Sequence, residues 1–127
     1  MSTLKVNNIE EATSGGGKIF LCRAWCNWKG TGTLTVRGDG NVSSVTDMGV
    51  GRYRVNYSNN FSSSSTYTAV STAGANISDY PSQSDSDDHS SFQGNKTTSN
   101  VPVFSVDHDD GSQDDAFNMD LVCVGDE

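Results

Sequence analysis

Apolar and polar side chains alternate every second residue, in runs too short for anything but strands, and this constrains the chain more than any other feature. Across residues 20–28, Phe20, Cys22, Ala24, Cys26 and Trp28 fall on one face and Leu21, Arg23, Trp25 and Asn27 on the other, the period of a pleated strand. Tyr53, Val55 and Tyr57 repeat the pattern against Arg52, Arg54 and Asn56. Gly30-Thr31-Gly32 is a turn signal, so 33–37, carrying Leu34 and Val36 inward, should form a hairpin with the first strand. Gly38-Asp39-Gly40-Asn41 turns the chain again, and the opposite parity of Val42 and Val45 predicts a bulge or break within 42–47. Segments 67–73, 101–106 and 117–124 also read as strands, with Pro102 expected at a strand start or edge. No window reads as a long amphipathic helix. The expected fold is all-β, an antiparallel β-sandwich of about 7–8 strands.

At 127 residues there is material for one domain with its own core and not for two. Residues 1–17 divide into an alternating arm, in which Leu4, Val6 and Ile9 are the apolar positions, and a hinge, Ser14-Gly15-Gly16-Gly17. Such an arm can add a strand to an open sheet edge of a neighbouring protein; a disordered tail is the other reading. The domain proper then spans 18–127. Within it, 74–100 is expected as a long polar loop, because the run from Ser78 to Phe92 has almost nothing to bury.

The formal net charge is -8, and thirteen of the 16 acidic residues are aspartates. That surface repels polyphosphate, and the four arginines and four lysines are scattered, which argues against nucleic acid as a partner. Residues 1–9 lack a basic segment followed by an apolar run, and no stretch approaches a membrane span. A soluble product made in a cytoplasm is expected. Cys22, Cys26 and Cys123 lie in strand-like segments and read as buried free thiols, with a disulfide as the alternative.

The last strand is apolar on both faces through Leu121, Val122, Cys123 and Val124, and the first places Leu21 and Trp25 opposite its core face. In a solitary sandwich one face of each sheet meets water, so two-sided strands call for another covering surface. Leu21, Trp25, Val122 and Val124 are therefore the expected contacts of a homo-oligomer, a trimer or larger ring; a fully covered central strand is the other explanation.

The run Arg23-Ala24-Trp25-Cys26-Asn27-Trp28-Lys29-Gly30-Thr31-Gly32-Thr33, then Arg37, then residues 41–57 from Asn41-Val42-Ser43 to Val55-Asn56-Tyr57, resembles the terminal domain of tail fibre proteins and related minor structural proteins of bacteriophages. Thr3-Leu4-Lys5-Val6-Asn7-Asn8-Ile9 and Leu121-Val122-Cys123-Val124-Gly125-Asp126 are similar to segments of such proteins too. The resemblance implies a virion component, usually trimeric, at the tail or particle surface and often engaged in host attachment. The chain departs from it in having no shaft between arm and domain, in Cys26 where an aliphatic residue is expected, and in the Asp-rich stretch 79–88. A short fibre, a fibre tip, a connector or a capsid decoration protein all fit those departures.

Catalysis finds little footing. His89 and His108 sit in acidic polar segments, and neither a Gly-x-Ser-x-Gly elbow nor a phosphate-cradling glycine loop is present. Asp107, Asp109, Asp110, Asp114 and Asp115 offer several hard oxygens to Ca²⁺, although Gly111 is displaced from an EF-hand pattern and no Glu closes the loop. A solvated acidic turn is the plainer reading, so no cofactor is expected beyond that calcium option. Tyr80, His89 and Phe92 punctuate the polar stretch and are the candidates for contact with a host surface glycan. Asn-x-Ser/Thr sequons such as those beginning at Asn41, Asn60, Asn76 and Asn95 are chance products of composition where no signal peptide precedes them. A free-standing carbohydrate- or calcium-binding module is the rival of a different class.

Overall fold

The computed structural model describes residues 22–74, 89–107 and 110–125, with the side chains of these except His89 and Ser90. The arm positions Leu4, Val6 and Ile9, and with them Leu21, Tyr80, His108 and Asp109, lie outside the described residues. Among the described residues there are eight strands and no helix: β1 Cys22–Lys29, β2 Thr35–Gly40, β3 Val42–Asp47, β4 Arg52–Tyr57, β5 Tyr67–Gly74, β6 His89–Gln93, β7 Asn100–Asp107 and β8 Asn118–Gly125. They form two antiparallel four-stranded sheets, ordered β2-β1-β8-β5 and β3-β4-β7-β6.

The core lies between the sheets, where Ala24, Cys26, Trp28, Leu121 and Cys123 of the first meet Tyr53, Val55, Val101 and Val103 of the second. Trp28 meets Tyr53 edge-on at 5.7 Å between ring centroids. At the other end Phe61 stacks on Tyr67 at 4.0 Å, and Tyr57 meets both rings edgewise. Each large apolar side chain removed from water in this way contributes about 1.5–3 kcal/mol, and edge-to-face ring pairs add about 1 kcal/mol more.

Four local expectations are corrected. Cys22 is exposed rather than part of the core, because a bulge between Cys22 and Ala24 breaks the register with β8 and takes Cys22 off the inward face. Gly38 and Gly40 do not turn the chain; they pair with Asn27 and Trp25 inside β2, and the turn falls on Asn41 alone. Asn41 takes a left-handed φ of 56°, a conformation that Asn tolerates better than most residues. Its side-chain oxygen accepts the Asn59 N–H at 2.7 Å and its carbonyl accepts the Ser58 N–H at 3.1 Å, which fixes the crossing from one sheet to the other.

Pro102 sits in β7, an interior strand, and not at an edge. Its carbonyl accepts the Gly94 N–H at 2.9 Å just past the end of β6 at Gln93, so on that side there is no ladder for its missing donor to break. The polar stretch 74–100 is not one loop either, since β6 emerges from it and carries Phe92 opposite Phe104. Strand β6 has the weakest apolar signal of the eight, His89-Ser90-Ser91-Phe92-Gln93, and holds its place through β7 and through Ser91, whose hydroxyl lies 2.8 Å from that of Ser71 on β5. The bulge expected near Val42 is present, between Val42 and Ser44.

Candidate interaction faces

The outer face of the first sheet carries one apolar row across all four strands. Gly40 pairs with Trp25, Trp25 with Val122, and Val122 with Val70. Trp25 is 44 % exposed, Val122 44 % and Val70 57 %. The Trp25 ring lies over the two glycines of β2: a Cβ on Gly40 would stand 2.8 Å from its Cδ1, and one on Gly38 would stand 3.2 Å from its far edge. These glycines therefore serve as a floor for the indole. Two residues along, the next row is polar and internally paired, with Asn27 donating to Asp120 at 2.7 Å and Thr72 donating to the other Asp120 oxygen at 3.4 Å. On the other side Val124 is half-buried and pairs with Cys22 and Thr68. Of the interface residues expected from sequence, Trp25, Val122 and Val124 come together on one face. Val70 belongs beside them, brought there by the pairing of β5 with β8, which local pattern does not announce.

The outer face of the second sheet has a different character. Arg52 pairs with Phe104 and Phe104 with Phe92, while Arg54 pairs with Pro102 in the parallel row. Met48, Arg52, Tyr53, Arg54, Pro102 and Phe104 line a shallow groove of about 270 Å³. Arg52 donates to the Met48 carbonyl at 2.9 Å, which holds the 48–52 turn against the strand. Phe92 stands 55 % exposed on the edge strand. Of the three glycan candidates expected on the polar stretch, only Phe92 has a described side chain, and it is part of a sheet face rather than a loop tip.

Of the acidic cluster, Asp110, Asp114 and Asp115 accept hydrogen bonds from within the fold at one end of the sheets. Asp110 accepts the Ser112 N–H at 2.8 Å, and hydrogen bonds from the side chain and then the N–H of Ser112 hold its carboxyl below the usual range. Asp114 accepts the Asp115 N–H at 2.8 Å. Asp115 accepts both the Gly51 N–H and the Tyr53 hydroxyl, each at 2.7 Å. Among the described residues no three His, Cys, Asp or Glu side chains converge as a metal cluster would require. Removing the Asp115 acceptor strands a buried phenol and a backbone donor, so Asp115→Ala is expected to cost about 2–3 kcal/mol, whereas Asp115→Asn, which keeps an acceptor, should cost less than half as much. Chemical denaturation of the two variants side by side checks this.

The buried nucleophiles are quenched. Burial first, then the charges of Asp39 and Asp120, push the Cys26 thiol up to about 12, the reverse of an activated cysteine. Burial raises Cys123 as well; its sulfur lies 3.4 Å from the Tyr57 hydroxyl, which in turn donates to Tyr67 at 3.3 Å. Tyr67 passes the chain on to the Thr97 carbonyl at 2.8 Å. All three cysteines are free thiols.

No family model, curated protein or solved structure matches the chain.

Proposed function

We propose that this chain is a non-catalytic structural component of a bacteriophage particle, a short tail fibre, fibre tip or connector at the particle surface, built as a β-sandwich and assembled from sister copies, three in the simplest case. The observation that carries the reading is the exposed Trp25–Val122–Val70 row, an apolar band across one sheet face of an otherwise polar, strongly acidic chain. Isolated exposed apolar residues are ordinary, but a continuous row of them supports an association surface. The glycine floor under Trp25 supports it further, because it keeps the indole flat against the sheet and presents its other side as a smooth contact. Tryptophan is among the residue types that contribute most to protein association.

The resemblance of residues 23–57 to fibre-tip domains supplies the viral half of the reading and stands on those residues. A cryo-electron microscopy map of the particle whose genome encodes the chain tests it. The expected result is density for symmetric copies at the tail or particle surface, packed through the Trp25 face. Absence of the chain from the purified particle overturns the assignment.

A further inference from the structure

We propose that the groove on the outer face of β4 and β7 binds an acidic polysaccharide, with its carboxylates on Arg52 and Arg54 and the apolar faces of its sugar rings on Phe104 and Pro102. The inference rests on the particle-surface placement proposed above and goes beyond it by naming a ligand class.

Charge is the first argument. In a chain of net charge -8, two of four arginines stand at alternate positions of one strand and point to the same face. The Arg54 side chain is exposed and makes no hydrogen bond, ion pair or ring contact among the described residues. Guanidinium groups pair carboxylates through two parallel hydrogen bonds, and alternate residues of a strand stand about 6.6 Å apart. That spacing suits an anion that repeats along a chain better than a single small one.

The floor is the second argument. Phe104, Pro102 and Met48 make the groove apolar between its cations, and Phe92 extends the aromatic row to the sheet edge. A sugar ring offers the matching combination of one apolar face and a rim of acceptors. The third argument separates this ligand from an acidic peptide. Strand β4 is held between β3 and β7, and β7 between β4 and β6, so the backbone beneath the groove is already paired. A peptide that binds as an added strand needs an open edge. Recognition on this face runs through side chains alone, which ring stacking and carboxylate pairing satisfy. The groove lies on the sheet opposite the Trp25 row, so association through that row leaves it open.

The test is calorimetric titration of the purified full chain with oligogalacturonate, with dextran of similar length and poly-glutamate as comparisons. The expected result is binding to oligogalacturonate that weakens with added salt, no binding to dextran, and about tenfold weaker binding by Arg54→Ala. Phe92→Ser, at a partly exposed edge position, should weaken binding while the chain still melts in one cooperative transition. Silence with oligogalacturonate, or an Arg54→Ala variant that binds as the parent does, overturns the proposal. Poly-glutamate binding as tightly overturns it in favour of an acidic peptide. Light scattering on the same samples reads self-association separately. Lost glycan binding with association intact therefore sinks this site alone, and retained binding by a chain absent from particles sinks the virion reading alone.

Discussion

Gly51→Ala is expected to lower the melting temperature by roughly 10 °C, the effect of about 3 kcal/mol in a domain of this size. Gly51 has a left-handed φ of 63°, and a Cβ there would lie 2.7 and 2.8 Å from the Asp114 backbone nitrogen and oxygen and closer still to the Ser105 carbonyl. The left-handed conformation alone costs a non-glycine residue about 1–2 kcal/mol, and forcing backbone atoms apart adds a similar amount. Nothing flexible stands nearby to give way, since all three neighbours are main chain. The strain would spread, because the Gly51 N–H is held by Asp115 and its carbonyl accepts the Ser105 N–H at 2.8 Å. Gly111 is the natural comparison: its φ of 71° is also left-handed, yet a Cβ there meets nothing within 4 Å. Gly111→Ala should therefore show the conformational cost alone, about 1–2 kcal/mol. Thermal melts of the two variants that coincide would show that the crowding at Gly51 relaxes.

Alkali is expected to unfold the protein well before it harms an ordinary β domain. Cys26 is raised from an ordinary 9.0 to about 12, chiefly by burial. Tyr53 and Tyr57 are raised from 10.0, Tyr53 by burial and then its hydrogen bond to Asp115, Tyr57 by burial and then its hydrogen bond to Cys123. Each of these groups is neutral when protonated, and the folded state holds the proton more tightly than the unfolded chain. The stability they contribute is thus complete below the unfolded values and is lost as pH rises, from 9.0 towards about 12 for Cys26 and from 10.0 upward for the tyrosines. The loss is about 1.4 kcal/mol per pH unit for each proton the unfolded chain has released and the folded chain retains. With three groups involved it reaches a few kcal/mol by about pH 11, a large share of a typical domain's stability. Urea midpoints measured between pH 8 and 11 should fall with increasing slope, and Tyr57→Phe, which has no proton to lose, should flatten the curve. A midpoint independent of pH over that range would contradict the burial of these hydroxyls.

The strands were legible where alternation was strong. Trp28, Tyr53, Val55 and Tyr57 are all buried as their parity implied, and in the segments that read simply as strands the core takes Val101, Val103, Leu121 and Cys123. Legibility failed where tertiary context outweighs local pattern. Strand β6 has too few apolar residues to announce itself and exists because β7 offers it an edge. Gly38 and Gly40 look like a turn in sequence, and they are strand residues because Trp25 needs a flat surface to lie on. Cys22 follows the parity of the core and escapes it through a bulge that no residue type marks. The acidic cluster was legible as a cluster but not in its use, since only the fold brings the Tyr53 hydroxyl and the Gly51 N–H to Asp115. The same holds for the two outer faces. Trp25, Val122 and Phe92 were visible as surplus apolar residues, while Val70, Arg52, Arg54 and Phe104 join them through pairings between strands distant in sequence.

Self-association through the Trp25 face is the claim from which the rest of the reading descends, and light scattering during size-exclusion chromatography at micromolar concentration tests it directly. The samples need reductant, because the exposed Cys22 thiol could otherwise link copies covalently. The expected result is a species near three times 13.5 kDa for the parent chain, falling to one chain for Val70→Asp, a change on an exposed position that leaves the core untouched, and for Trp25→Ala. A folded parent chain that elutes as a monomer, with the same mass before and after Val70→Asp, would contradict it.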